Sequence, residues 1–147
     1  MIDPETRYNQ MLAELRQRDF RLTPQRLALL RLIASSDRHP SAAQLYEQIR
    51  PQFPTMSLAT VYKTLAMLCE MGEALEIPLP GDSHYDGNDP HPHPHLVCTR
   101  CHTIMDGSAP LDGSAIQRMA EESGFAIMRA QLTLYGLCPA CRKAEAQ

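Results

Sequence analysis

The sequence lacks any hydrophobic run long enough to cross a membrane. No apolar stretch in its 147 residues approaches the roughly 20 residues that a bilayer-spanning helix needs. The first residues, Met1 to Glu5, also lack the basic and apolar segments of a secretory signal. We therefore expect a cytoplasmic protein that has no membrane partner.

Four of the five cysteines form two Cys-x-x-Cys pairs, Cys98/Cys101 and Cys138/Cys141. In a reducing compartment such pairs are better interpreted as metal ligands than as disulfides. Two short thiolate pairs suit a tetrahedral ion, so we predict a structural Zn²⁺ site, with two redox pairs or four buried thiols as alternatives. Cys69 falls on the apolar side of a predicted helix, and we expect it to be a core residue.

Acidic residues are sparse between residues 16 and 63. Residues 16–63 contain eight Lys or Arg against three acidic residues, whereas residues 64–147 contain five against eleven. The net charge of −3 therefore hides a basic segment. A basic segment favours a polyanionic partner such as nucleic acid, although solvated helices are often basic as well.

The first 72 residues combine helical periodicity with capping signals. The alternating apolar residues between Glu73 and Tyr85 surround a turn and predict a hairpin. Three compact helices followed by a hairpin are typical of a winged helix-turn-helix. The predicted helices span about 5–18, begin at the caps Thr23 and Ser41, and run from Ser57 to Gly72.

The second half predicts a small α/β unit, in which a structural metal would supply stability that a small core lacks. The segment 87–94, rich in Gly, Pro, Asn and Asp, marks the boundary. We therefore predict an α+β protein with a winged-helix DNA-binding domain (1–86), a hinge (87–94) and a small α/β zinc-binding domain (95–147). The predicted elements of that last domain are strands at His95–Cys98, Thr103–Asp106 and Phe125–Tyr135, and a helix at Asp112–Ser123.

A His-Pro-His-Pro-His run precedes the first cysteine pair and suggests a second metal. In an extended chain, alternate histidines share one face, whereas in a polyproline helix they splay apart. Imidazole and carboxylate ligands together suit a divalent ion of the iron or manganese type. From the residues alone His39 is expected to be a turn or capping residue. The candidate ligands are His91, His93 and His95, with Asp86, Asp89 and Asp106 as the nearby carboxylates.

Several motifs resemble the ferric uptake regulator family, collinearly over roughly residues 10–143. The resemblance implies a homodimeric, metal-activated transcriptional repressor that binds a palindromic DNA operator and is not an enzyme. It also implies that 95–147 is the dimerisation domain. The motifs are Leu22-Thr23-Pro24-Gln25-Arg26, His39-Pro40-Ser41, Ser57-Leu58-Ala59-Thr60-Val61-Tyr62, His93-x-His95-x-x-Cys98-x-x-Cys101 and Tyr135-Gly136-x-Cys138-x-x-Cys141.

The resemblance also implies a regulatory Fe²⁺ or Mn²⁺ site. Its ligands would be His39, Asp86, His93, His95 and Asp106, while the structural Zn²⁺ would bind the four paired cysteines. Compared with the family pattern, the chain has one residue more between Asp86 and His93, so His91 or Asp89 could act as an extra ligand.

The aspartate at position 106 favours the peroxide-sensing branch, in which iron-catalysed oxidation of His39 or His93 releases the metal. The alternative within the family is an iron, zinc or manganese uptake regulator. A more remote alternative is a small zinc hydrolase, which would need a general base that the sequence does not nominate.

For DNA recognition, the resemblance implies that the fourth helix enters the major groove and that Tyr62 contacts a base. Packing against the apolar side of that helix is the alternative role for Tyr62. Thr60 and Lys63 are expected to face outward, and Lys63, Arg21 and Arg26 are candidates for phosphate contacts.

Overall fold

A computed structural model describes residues 2–109 and 111–146. The chain divides into two compact units, the first ending at Pro90 and the second beginning at His91. Within the described residues there are six helices and five strands, which confirms the α+β class. The elements are α1 Pro4–Gln17, α2 Pro24–Ser35, α3 Ala42–Ile49, α4 Leu58–Glu70, β1 Leu75–Ile77, β2 His84–Asp86, β3 His95–Cys98, β4 Ile104–Asp106, α5 Gly113–Ser123, β5 Thr133–Gly136 and α6 Pro139–Ala146.

The helices of the first unit begin where the sequence places a capping residue. At each start a side-chain oxygen accepts a hydrogen bond from a backbone amide three residues further on, which satisfies a donor that the helix leaves unpaired. Ser41 and Gln44 form the predicted reciprocal capping box at the start of α3. The capping residues are Asp3, Thr23, Ser41 and Ser57.

The core of the first unit is formed by the apolar faces of α1 to α4. Its fully buried side chains come from every one of these helices, so the helices fold as one body around a shared interior. They include Met11, Leu15, Leu29, Leu30, Leu45, Val61, Leu65 and Leu68. Cys69 packs partly buried against this core, as predicted.

The wing is the antiparallel pair β1 and β2, in which Leu75 lies opposite Asp86 and Ile77 opposite His84. Gly72, just after α4, has φ +75°, a conformation that glycine adopts without strain, and it turns the chain into β1. Helices α2 to α4 followed by this hairpin are the predicted winged helix-turn-helix.

The second unit is built on a three-stranded sheet with β3 in the centre. The strand β4 pairs with it antiparallel, and β5 pairs with it parallel. Asp112 caps α5, which ends at Gly124 with φ +74°. None of the described helices has the length and apolar character that a membrane span requires.

Two elements of the second unit differ from prediction. The strand predicted from Phe125 is paired only over Thr133–Gly136, because β3 offers just the four residues His95–Cys98 as partners. Helix α6 was not predicted from the sequence, although Pro139 stands at its first position, where proline is favoured.

Part of the segment predicted as a hinge is fixed within the first unit. The carbonyl of Gly87 accepts a hydrogen bond from Arg7, and the Asn88 amide bonds the backbone of Ile2 and Ala34. Glycine and asparagine in this segment are therefore packing residues. The domain boundaries at 86 and 95 stay a prediction.

Candidate metal centres

The four paired cysteines lie together in the second unit. Parallel pairing sets Cys98, at the end of β3, opposite Gly136 in β5, so the two Cys-x-x-Cys turns meet. All four Sγ atoms lie within 4.8 Å of one another, and those of Cys101 and Cys138 are 3.7 Å apart. A tetrahedral zinc ion with bonds of about 2.3 Å separates its sulfurs by about 3.8 Å. The cluster therefore fits one zinc ion.

Each turn of this cluster is organised by the same backbone hydrogen bond. The Cys101 amide donates to the Cys98 Sγ, and the Cys141 amide donates to the Cys138 Sγ, both at 3.5 Å. The Cys101 amide is the main reason that the pKa of Cys98 is lowered to about 5. Contact with Thr103 likewise lowers the pKa of Cys101.

The Cys141 thiol behaves in the opposite way. Its hydrogen bond with the Cys138 sulfur favours the protonated form and raises the pKa of Cys141 to about 12. Sulfurs packed this closely cannot all be anionic unless a cation neutralises them. One cluster of four thiols, with some already favoured as thiolates, supports the zinc interpretation over two separate redox pairs.

Two histidines of the second unit converge on one carboxylate. The register places His95 opposite Asp106, and the Oδ1 atom of Asp106 lies 3.4 Å from His95 Nε2 and 3.1 Å from His93 Nε2. The two imidazole centroids are 4.4 Å apart. These three side chains offer two nitrogens and one carboxylate within reach of one another, which is a donor set that divalent transition metals accept.

The tautomer of His93 follows from its backbone contact. Its Nδ1 lies 2.7 Å from the carbonyl of His91, and a carbonyl only accepts, so Nδ1 donates. In the neutral ring Nε2 then carries a lone pair, and this lone pair faces the Asp106 carboxylate. Such an arrangement is repulsive unless a proton or a metal cation lies between the two groups. The geometry of His93 and Asp106 therefore fits a metal ligand pair.

A second histidine–carboxylate pair lies in the first unit. His39 Nε2 is 3.3 Å from Asp86 Oδ2, and both side chains are buried, at 7% and 5% exposure. His39 has φ +49° in the link between α2 and α3, a conformation that few residues other than glycine adopt. Its carbonyl accepts from His84 Nδ1 at 2.6 Å, which attaches the link to the wing.

The residues alone indicated a turn role for His39, and only the family resemblance indicated a ligand. The structure places His39 in the turn between α2 and α3 and directs its imidazole at Asp86. The role of His39 as a ligand stays a prediction. This pairing could not be predicted from local sequence patterns, because the α2–α3 link and the end of the wing lie far apart in the chain.

The two extra candidates lie beside these pairs. The Asp89 amide donates to Asp86 Oδ1 at 3.3 Å, so the backbone of Asp89 helps to hold that carboxylate. The side chain of His91 is exposed, and its carbonyl accepts from His93. The backbone of each residue thus helps to orient a neighbouring ligand candidate.

The DNA-contact candidates lie on α4 and before or within α2. Tyr62 is 40% exposed, and Lys63 is exposed beside it, while Thr60 is half-buried. The Tyr62 hydroxyl donates to the Asp82 carboxylate at 3.0 Å, and this bond raises the pKa of Tyr62. Tyr62 thus lies outside the core. Arg21 is exposed, and the Arg26 guanidinium donates to its carbonyl at 2.5 Å.

A winged helix followed by a sheet with a tetrathiol cluster and histidine–carboxylate pairs defines a class, that of the metal-binding transcriptional regulators. The model of the ferric uptake regulator family matches residues 17–135. The chain therefore belongs to the ferric uptake regulator family, as the sequence motifs predicted. It is 36% identical over 141 residues to the peroxide-responsive repressor PerR of Staphylococcus aureus, covering 94% of this chain and 93% of that protein.

Solved structures agree with this assignment. A zinc uptake regulator in complex with zinc and DNA is 30% identical, with a TM-score of 0.72 over 100% of both chains. PerR from Streptococcus pyogenes is 35% identical, with a TM-score of 0.53 over 91% of this chain and 92% of that one. The Helicobacter pylori ferric uptake regulator has a TM-score of 0.73 at 16% identity, covering 95% and 94%, and so shares the fold.

Family membership confirms the predicted class, a metal-dependent transcriptional regulator and not an enzyme. The zinc hydrolase alternative has no support from these relatives. The roles of the individual ligand and DNA-contact residues stay predictions.

Proposed function

We propose that this chain is a homodimeric, metal-dependent repressor that leaves its DNA operator when hydrogen peroxide oxidises a histidine ligand. The observation that carries the proposal is the convergence of His93 and His95 on the single carboxylate of Asp106. The identity of 36% to a peroxide-responsive repressor over nearly the whole chain supports the same branch.

The regulatory ion would be Fe²⁺ or Mn²⁺, bound by both ligand sets at once. The first unit offers His39 and Asp86, and the second offers His93, His95 and Asp106, so neither set alone provides four protein ligands. Five ligands of mixed nitrogen and oxygen character suit these ions and leave a coordination position open. An ion that needs both sets favours the arrangement of the units that binds it, by its differential affinity.

Bound iron(II) supplies the reactivity toward hydrogen peroxide that oxidises a neighbouring imidazole. His39 and His93 are the residues that would take up the oxygen atom, by the family resemblance. His93 already presents Nε2 as the ligand atom, because its Nδ1 is committed to the His91 carbonyl. An oxidised ring would no longer match this geometry, and the loss of one ligand would lower the affinity for the ion.

For DNA binding, α4 would lie in the major groove. Its N-terminal half presents Tyr62 and Lys63 to solvent, and Ser57 caps its start. Tyr62 would contact a base edge, while Thr60, Lys63, Arg21 and Arg26 would serve the neighbouring contacts, chiefly to phosphates. The palindromic operator follows from a two-fold dimer, since each winged helix would read one half-site.

The homodimer would form through the sheet of the second unit. Leu96 lies opposite Met105 in β4 and Leu134 in β5, so the three side chains line one face, and they are 43%, 55% and 48% exposed. An apolar face of this kind in a small unit is covered most simply by a second copy of the same face. We assign the winged helix to 1–86 and dimerisation to 95–147, and place the protein in the cytoplasm, where a DNA regulator acts.

An iron, zinc or manganese uptake regulator is the second candidate. The likeness to the zinc uptake regulator bound to DNA, with its TM-score of 0.72 over the full length of both chains, favours it. In that case the supply of the metal ion at the regulatory site would control DNA binding, and peroxide would leave DNA binding unchanged.

The two candidates are separated by DNA binding measured with each metal. Fluorescence anisotropy should be measured on a palindromic duplex from the promoter of the gene that encodes this chain. The protein should bind this duplex with Mn²⁺ or Fe²⁺ and release it after chelation of the regulatory ion. Mild peroxide should abolish binding of the iron form and spare the manganese form. Binding that resists peroxide in both forms would favour the uptake regulator, and binding that survives chelation would contradict a metal-dependent repressor.

A further inference from the structure

Arg7 of α1 is buried beside the end of the wing, although arginine is seldom fully buried. Its side chain is 1% exposed. The Nε atom donates to the carbonyl of Gly87 at 2.7 Å, and the guanidinium also donates to the Glu73 carboxylate at 2.8 Å and to the Glu73 carbonyl at 2.5 Å. One side chain thus joins α1, the turn before β1 and the residue that follows Asp86.

The residues after Asp86 are held by further contacts. Asn88 is 5% exposed. Its side-chain Nδ2 donates to the Ile2 carbonyl at 2.8 Å and to the Ala34 carbonyl at 2.9 Å, and its Oδ1 accepts from the Ile2 backbone amide at 3.0 Å. A Cβ atom at Gly87 would lie 2.1 Å from the Cγ2 atom of Ile33, so only glycine fits there. The backbone from Asp86 to Asn88 is therefore seated against α1 and α2 with little freedom to shift.

We propose that Arg7 is a positioning residue for the regulatory metal: through Gly87 it fixes the backbone that carries Asp86, so the N-terminal helix sets the affinity of that site. The inference rests on the proposed role of Asp86 as a ligand. A carboxylate ligand binds well only when it is held in place, and removing groups that orient a ligand commonly weakens metal binding by about 10–100-fold. The ion pair with Glu73 compensates the buried positive charge of the guanidinium.

The matched variants separate the contact to Gly87 from the ion pair. Arg7→Lys keeps a positive charge beside Glu73. A lysine cannot make the hydrogen bonds to the Gly87 and Glu73 carbonyls at the same time as the ion pair, because it lacks the planar guanidinium. Glu73→Gln removes the ion pair but keeps a side-chain oxygen that can accept from Arg7, and it leaves the bond from Arg7 to Gly87 in place. We expect Arg7→Lys to lower the Mn²⁺ affinity of the regulatory site about tenfold, and Glu73→Gln to change it less than about twofold.

The measurement is a competition titration with Mn²⁺ on zinc-loaded protein, at a temperature where circular dichroism shows each variant folded. Hydrogen exchange without Mn²⁺ provides a second readout, in which the peptide covering 86–89 should exchange faster in Arg7→Lys. A variant that merely lowers stability would show neither change under folded conditions. If Arg7→Lys does not fold, Asn88→Ala removes other contacts that hold the backbone after Asp86, and it should also weaken Mn²⁺ binding.

Equal Mn²⁺ affinities for wild type and Arg7→Lys, with equal exchange over 86–89, would overturn the inference and leave the proposed function standing. In the same titration, a wild-type protein that binds no Mn²⁺ beyond its zinc would contradict the proposed function itself. If neither Arg7→Lys nor Asn88→Ala folds, hydrogen exchange of the wild-type protein tests the inference. Binding of Mn²⁺ should then slow amide exchange at residues 2–8 as well as at 86–89. Protection of 86–89 alone would overturn the inference.

Discussion

The Asp106 carboxylate and the His95 imidazole face each other across the antiparallel pair of β3 and β4, with Oδ1 and Nε2 3.4 Å apart. Their approach is a consequence of strand register, because directly opposite residues project their side chains on the same face of a sheet. His93, just before β3, reaches the same oxygen at 3.1 Å. The second unit thus brings three of the proposed ligands together, two on the sheet and one in the segment just before it.

The first prediction concerns this carboxylate. Asp106→Ala should reduce the Mn²⁺ affinity of the regulatory site at least about tenfold, because it removes a ligand. Zinc content should stay the same, since the cysteine cluster does not use Asp106. Asp112→Ala is the matched control: it removes an exposed aspartate of the same unit that caps α5, and it should leave Mn²⁺ affinity unchanged. Equal losses in both variants would contradict the assignment of Asp106.

The second prediction concerns the cysteine cluster. Cys98→Ser should abolish zinc binding and unfold much of the second unit, because that small unit has few buried apolar residues of its own. Elemental analysis gives the zinc content, and circular dichroism gives the loss of structure. Cys69→Ser should retain zinc, since Cys69 lies in the core of the first unit. Retention of full zinc content by Cys98→Ser would show that the cluster is not the zinc site.

The third prediction concerns the DNA surface. Lys63→Ala should weaken binding to operator and unrelated duplexes alike and lower the salt dependence of binding by about one unit of slope, as expected for a lost phosphate contact. Tyr62→Ala should cost about 1–3 kcal/mol on the operator and less on unrelated DNA, if its ring contacts a base. Lys143→Ala, a change on α6 of the second unit, is the control and should leave the salt slope unchanged.

The fourth prediction concerns the dimer. Leu96→Asp places a charge on the apolar face shared with Met105 and Leu134, so sedimentation should show a monomer. Phe20→Asp, at another exposed apolar residue, should remain dimeric. A dimer that persists in Leu96→Asp would mean that the face of β3 is not the interface.

Local signals made much of the fold predictable. The caps Thr23, Ser41 and Ser57 act within one helical turn, so the sequence alone locates the helix starts. The cysteine cluster was equally predictable, because each Cys-x-x-Cys turn is local and a tetrahedral ion needs two of them. These features depend on residues three or four positions apart.

Features that depend on distant residues were not predictable in the same way. The partner of His39 is Asp86, and no periodicity relates the two positions. The length of β5 is set by its partner β3, which ends the pairing at Thr133 although the apolar pattern begins at Phe125. Arg7 was one charge among many in the sequence, and only its burial against Gly87 distinguishes it.

The central claim is that a histidine of the regulatory site is the target of peroxide. In the net reaction one oxygen atom of hydrogen peroxide enters the imidazole ring and the other leaves as water, which adds about 16 Da to the peptide. The decisive measurement is peptide mass spectrometry of the iron-loaded dimer after mild peroxide. This addition is expected at His39 or His93, with none in the manganese form, in step with loss of operator binding. Loss of binding with both histidines unmodified, or equal modification in the manganese form, would contradict it.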